Sequence, residues 1–153
     1  MKKRLLILEL NEFNLRLMLK AAQELGLANL NKLLANNKYR YITNDKIQFE
    51  WLDPWVQWVS VHTGLPSSEH RIKNLGEVPD LEAEQFWEFL SKKGMTTGVW
   101  GVMNGNRRNA ANNLFFMPDP WTYSEKSFPD ELNRLLNLPR YLSQNYLNVS
   151  IKR

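Results

Sequence analysis

Residues 4–10, RLLILEL, form an apolar run of strand length bounded by polar clusters, which predicts a buried strand of a parallel sheet. Beyond Asn11 the period changes. Leu15, Met18, Leu19 and Ala22 recur at the spacing of one helix face, and Gly26 supplies the stop. Leu30, Leu33 and Leu34 carry a second short helix over residues 27–37. Residues 39–43 are rich in β-formers and predict another strand, closed by the Asn44-Asp45 turn. Asp53 and Pro54 open the next helix, aspartate as N-cap and proline in the first turn. That helix runs to Thr63, with Gly64 beyond its end. Residues 66–76 have no period and read as an extended loop.

The clearest amphipathic stripe is Ala83, Phe86, Trp87 and Leu90, in a helix capped by Asp80 and ended by Gly94. Its acids come early and Lys92-Lys93 come last, which suits the helix dipole. Residues 96–103 then predict a strand, 104–113 an Asn/Arg/Gly-rich loop, and 114–117 a second short strand. Pro118 to Trp121 is a turn. Pro129-Asp130 opens a last helical region that Pro139 divides or bends. Strand and helix alternate, which is the α/β signature. The expectation is a three-layer α/β/α fold with a mainly parallel sheet, its central strands at 4–10, 39–43 and 97–103, in a single domain 1–153.

Composition narrows the chemistry. The 153 residues are 43% hydrophobic, enough for a real core. The net charge of +4 is scattered, and the Lys2-Lys3-Arg4 triplet has no basic stripe to continue it. It reads as a solvated terminus, so neither nucleic acid nor a membrane is expected as partner. There is no cysteine, which removes disulfides, thiolate nucleophiles and zinc-thiolate sites together. No apolar run approaches the ~20 residues of a membrane helix. A cytoplasmic location is the expectation.

At Thr63-Gly64, followed by His70 and Ile72, the sequence resembles the alkaline phosphatase superfamily, in particular its nucleotide pyrophosphatase, phosphodiesterase and sulfatase branches. The likeness covers roughly residues 4–104. It implies an apolar strand ending in a metal ligand, a helix started by the nucleophile and ended by Thr-Gly, then His-Gly-Ile, a helix and a further strand. It also implies a pair of divalent metals, zinc, manganese or magnesium, that clamp a phosphoryl or sulfuryl oxygen. Several matching positions are altered. Asn11 stands where the family's strand-end aspartate binds metal. Pro54 stands at the nucleophile's place and has no nucleophilic atom, leaving Asp53 beside it. Gln57 stands where the phosphodiesterase branch has an oxyanion-binding asparagine. Arg71 replaces the glycine after His70. No histidine follows His70, so the family's later ligands have no counterpart, and the chain reads as the N-terminal part of such a protein or a degenerate relative.

Each candidate has a plainer role. Asn11 serves as metal ligand or helix cap, Asp53 as nucleophile or cap, Gln57 as oxyanion donor or solvated side chain. His70 serves as ligand or as a structural loop histidine. Trp51, Trp55 and Trp58 stack a ligand or pack. Asn104, Asn106, Arg107 and Arg108 follow a strand end, where α/β folds place ligands; the two arginines bind a substrate anion, with Asn104 beside them as a substrate-binding candidate, or the stretch is a solvated loop. Two functions follow: a metal-dependent hydrolase or transferase of small phosphorylated or sulfated substrates, belonging to a full-length relative, or a non-catalytic α/β module that binds a ligand or protein through the tryptophan-rich helix. On the first, Trp100, Val102, Leu114, Phe115 and Phe116 are left partly bare and the chain self-associates.

Overall fold

The computed structural model describes residues 4–35 and 53–146. The chain falls into two compact units, Met1–Asn44 and Asp45–Arg153. The strand expected at 39–43 lies outside the described residues, as does Trp51.

In the first unit, residues 4–10 form no strand. Leu5, Leu6 and Leu8 are exposed, so the apolar run does not make the ladder its composition predicts. A strand needs a partner for its backbone groups, and composition does not supply one. Helix α1 spans Leu15–Glu24. Its N-cap is Asn14, whose side chain accepts from the Leu17 N–H at 3.0 Å. Asn11 is therefore not the cap; Asn14 satisfies an orphan donor of the first turn and the helix starts later. Helix α2 spans Ala28–Ala35. The Asn31 side chain donates to the Ala22 carbonyl and ties the two helices together. Ala22 and Leu34 are the buried apolar residues of this unit among those described.

In the second unit, helix α3 spans Pro54–Thr63, with Pro54 in its first turn and Gly64 in the left-handed region as C-cap. The expected loop after it contains a single helical turn, α4, Ser67–His70. Its end is Arg71, also left-handed at φ 62°. A 3-10 turn covers Val78–Asp80, and helix α5 spans only Phe86–Lys92. Asp80 does not cap it. The cap is Gln85, in a reciprocal capping box with Glu88. The reason the helix starts late is that the Leu81 and Ala83 carbonyls accept from the Arg108 guanidinium, which holds that stretch extended.

Strands β1, Thr97–Val102, and β2, Asn113–Pro118, pair in parallel. The register sets Gly98 opposite Phe115 and Val99 opposite Phe116, with an irregularity between Trp100 and Val102. Gly101 sits in that irregularity at φ 67°. Beyond β2, Phe116 exchanges backbone bonds with Phe128. A 3-10 turn at Asp130–Leu132 leads into helix α6, Asn133–Asn145, which continues through Pro139 without a break. The described residues are thus mixed α/β, with six helices and a two-stranded parallel sheet.

Two apolar clusters hold the second unit. One joins Val59, Ile72, Val78 and Leu81; the other joins Trp87, Val99, Ala110 and Phe116. Phe116 is fully buried, contrary to the expectation that it is left bare, because the Phe128 segment closes over that edge of β2. Trp100, Leu114 and Phe115 are exposed, Trp100 at 55% and Leu114 at 69%, with Trp100 and Phe115 in contact on one face and Leu114 on the other, while Val102 is half-buried. Among the described residues no helix is long and apolar enough to cross a membrane.

Candidate functional site

The first turn of α3 and the loop after β1 meet through Asn104. This residue is buried and adopts φ 49°, a conformation asparagine tolerates better than most side chains. Its amide donates to the Trp55 carbonyl at 3.0 Å and to the Asn74 carbonyl at 3.1 Å, and its oxygen accepts from Gly76 N–H at 2.8 Å. Its backbone N–H donates to Asp119 Oδ2 at 3.1 Å, and its carbonyl accepts from Gln85 at 2.7 Å. Both amide hydrogens are committed. Trp55 adds a bond from its indole N–H to the Lys73 carbonyl at 2.9 Å. The 73–76 loop is closed by Glu77, which accepts from the Lys73 and Asn74 N–H groups. Burial pushes the Glu77 carboxyl up, but the Asn74 amide, those two N–H groups and the Lys73 charge outweigh it and hold it below the usual carboxylate range.

Arg108 is committed as well. Its guanidinium donates to the Leu81 and Ala83 carbonyls, to Asn106 Oδ1 at 3.0 Å, and to the buried Glu88 carboxylate at 3.4 Å. Asn106 is buried beside it, accepting from the Trp87 indole at 2.7 Å and donating its backbone N–H to Gln85 Oε1. Asp119, also buried, accepts from the Trp121 and Thr122 N–H groups and from the Thr122 hydroxyl. Within the loop read from sequence as solvated, Asn104 and Asn106 belong to a buried polar frame, while Arg108, Asn109 and Asn112 keep exposed surface. Gln85, Glu88 and Asp119 were not singled out from sequence, whereas Asn106 was, as part of the strand-end cluster. The Gln85…Glu88 spacing of a capping box is the one local signal for them.

Arg107 differs from its neighbour. Its guanidinium lies over the Phe128 ring at 3.6 Å and makes no ion pair or hydrogen bond with a described residue. Its backbone N–H faces the Glu125 carboxylate. Burial pushes the Glu125 carboxyl above its ordinary value; that N–H and the charges of Arg108 and Arg140 pull the other way, and Glu88 adds to the rise. Arg140 donates to the Thr122 carbonyl at 2.8 Å and to the Glu125 carbonyl. Burial lowers its affinity for its proton, and Asp119, Tyr123 and Glu125 offset part of that.

On α3, Asp53 is the N-cap by position, yet its side chain makes no capping bond. Gln57 lies one turn on and is half-buried. His70 is buried between two partners. Its Nδ1 accepts from the Ile72 N–H at 3.1 Å, and its Nε2 lies 3.0 Å from Ser60 Oγ. The first bond assigns the ring hydrogen to Nε2, so the imidazole donates toward the serine and is in the wrong tautomer to take its proton. His62 is buried against Trp58, Phe86 and Trp87. An open groove of about 640 Å3 runs between the end of α3 and α5, lined by Val61, His62, Ala83, Phe86 and Phe89 among others, and none of the expected site residues lines it.

Asn11 belongs to the first unit and is exposed, just before α1. Among the described residues, no three histidine, aspartate or glutamate side chains gather where they would hold a metal ion. The described residues do not assemble the donor set of a two-metal centre, and no chemistry through one follows from them. No known protein family, curated protein or solved structure matches the chain.

Proposed function

We propose that this chain is a non-catalytic α/β module, a degenerate relative of the alkaline phosphatase superfamily that binds a ligand or protein instead of turning one over. The observation that carries the reading is the commitment of Asn104 and Arg108. Both stand where a substrate anion is expected, and both give their side-chain donors to carbonyls or side chains of their own chain. A donor already paired in a buried frame stabilises a developing charge only by breaking that frame. Pro54 adds to this, because the helix start that carries a nucleophile in the family has none here.

The kinship is supported by the 54–72 segment. Its helix ends at Thr63-Gly64 with Gly64 left-handed, His70 is an architectural bridge, and Arg71 holds a left-handed conformation at the place of the family's glycine. A three-layer α/β/α arrangement around β1 and β2 belongs to the same reading. The test is turnover by the full chain of aryl phosphate and aryl sulfate esters with zinc, manganese or magnesium. The expected rate equals the metal blank. Turnover that Asp53→Ala abolishes would return the chain to the hydrolases.

A further inference from the structure

Asn104-Gly105 is the one asparagine-glycine pair in the sequence, and it sits at the centre of the buried frame. An asparagine side chain is lost when the next residue's backbone nitrogen attacks its amide carbon. Glycine in that next place makes the attack easiest, because no β-carbon screens the nitrogen and the backbone turns freely. The nearby Asn106, Asn109 and Asn113 are followed by arginine, alanine and leucine. The most labile asparagine of this stretch is thus the one that joins the most distant segments.

The fold requires both members of the pair. Asn104 adopts φ 49° and commits its side chain to three partners: it donates to the Trp55 and Asn74 carbonyls and accepts from the Gly76 N–H. Gly105 is buried, and a β-carbon there would stand 2.4 Å from Val102 Cγ2 and 3.5 Å from the Trp87 ring. Asparagine is needed for its bonds and glycine for room, although the two together are chemically unstable once they are free. In the folded chain the same bonds protect them. Ring closure turns the Asn104 amide carbon onto the Gly105 nitrogen, and that turn breaks the side-chain bonds of the frame. It also needs solvent to take the Gly105 proton, and both residues are buried.

We infer that Asn104-Gly105 is a deamidation site that the folded frame holds shut, and that opening of the frame makes it a one-way lesion. The site stands whether or not the chain is a catalyst. The Gly105 nitrogen gives up its proton and bonds to Asn104 Cγ. The bond from Cγ to the side-chain nitrogen breaks, and ammonia leaves with that proton. Water then opens the cyclic imide at either carbonyl, giving aspartate or, with the main chain rerouted through the side chain, isoaspartate. One water is consumed, one ammonia is released, and nothing is oxidised or reduced. Neither product rebuilds the frame. An ionised carboxylate only accepts, so the Trp55 and Asn74 carbonyls face oxygen in place of an N–H. The new charge is buried close to Asp119, which accepts from the Asn104 backbone N–H. Isoaspartate also lengthens the main chain by one carbon at a position already held in the left-handed region. A chain that stays open long enough to react does not close again.

Mass spectrometry of the tryptic peptide spanning residues 94–107 follows the reaction, with the full chain held in mildly alkaline buffer, native or in urea. A synthetic peptide of the same residues gives the unprotected rate. The chain unfolded in urea is expected to react as the peptide does. The native chain is expected to react slower by about a hundredfold or more, since only its open fraction reacts. Within the unfolding transition the rate is expected to rise with the unfolded fraction. Gly105→Ala is expected to slow the reaction in urea, a measurement that needs no folded chain; an unchanged rate overturns the role of Gly105. Asn104→Asp, the aspartyl product made directly, is expected to unfold at a lower urea midpoint than wild type, or not to fold. A midpoint equal to wild type overturns the lesion. A native rate within about threefold of the peptide's overturns the protection.

Discussion

Residues 4–35 and residues 53–146 use apolar sequence to different ends. The first stretch is dominated by leucine, yet among its described apolar side chains only Ala22 and Leu34 are buried. The second buries two apolar clusters and, between and around them, asparagine, glutamine, glutamate and aspartate side chains. What separates the two is the polar frame. In 53–146, Asn104 alone joins α3, the 74–76 turn, Gln85 and Asp119, segments as far as 49 residues apart in sequence. In 4–35 one such link is the short-range bond from Asn31 to Ala22. Apolar residues favour burial without direction. Directed bonds between distant loops decide which surfaces meet, and a buried network fully satisfied fixes one arrangement.

The sharpest way to break this comparison is to remove the centre of the frame. Asn104→Ala deletes three side-chain bonds, leaves the Trp55 and Asn74 carbonyls and the Gly76 N–H without partners, and places alanine at φ 49°. Urea unfolding of the full chain is expected to show a loss of about 3–4 kcal/mol. Asn104→Gly loses the same bonds without the backbone strain and is expected to fall slightly short of that. If Asn104→Ala unfolds within about 1 kcal/mol of wild type, the frame is ornament and the apolar clusters hold the fold alone.

A second substitution probes apolar packing outside the frame, on the β1–β2 pair. Gly98 faces Phe115 across the β1–β2 pair, and a methyl group there meets the ring at 2.4 Å. Overpacking of this kind costs about 1–3 kcal/mol, so Gly98→Ala is expected to destabilise, and Phe115→Ala in the same chain to restore part of the loss. A neutral Gly98→Ala means that the exposed ring swings clear.

These cases also mark what was legible in sequence. Pattern found α1, α2, α3 and both strands, because each has its own period or its own cap and stop. Gly64 announced its left-handed cap. The start of α5 was misread at Asp80, since the force that keeps Leu81 and Ala83 extended comes from Arg108, more than twenty residues away. The strand at 4–10 was misread because an apolar run records a tendency to be buried and not a partner to be buried against. The site was least legible. Asn104, Arg107 and Arg108 look alike in a polar loop, and only the structure separates a buried hub, a stacked edge and a clamp.

Solution pH separates the frame from the clusters, because only one of them titrates. Glu77 closes the 73–76 loop that Asn104 grips, and its carboxyl is held low in the folded chain. The unfolded chain binds that proton more readily, so the stabilisation is fully present above the unfolded value near 4.5 and is lost as pH falls through the lower folded value. Glu77→Gln is therefore expected to lower stability at pH 7 and to converge on wild type as the solution is acidified through that window. Unfolding midpoints across a pH series read this directly. A deficit that does not change with pH would assign Glu77 a packing role instead.

The smallest expected effect bears on the other side of the comparison. Leu6 lies in the most apolar run of the chain and is 89% exposed. A leucine that folding leaves in water gains nothing from folding, so replacing it with serine removes no transfer free energy and opens no cavity. Leu6→Ser is expected to change stability by no more than about 0.5 kcal/mol. Were residues 4–10 the central strand that their composition predicts, the same change would bury a hydroxyl and delete most of a core side chain, a loss of about 3 kcal/mol or more. The two outcomes are far enough apart for a single urea titration to choose between them. A large loss would mean that the run finds a partner in the folded chain, and that the contrast between the two regions is one of degree.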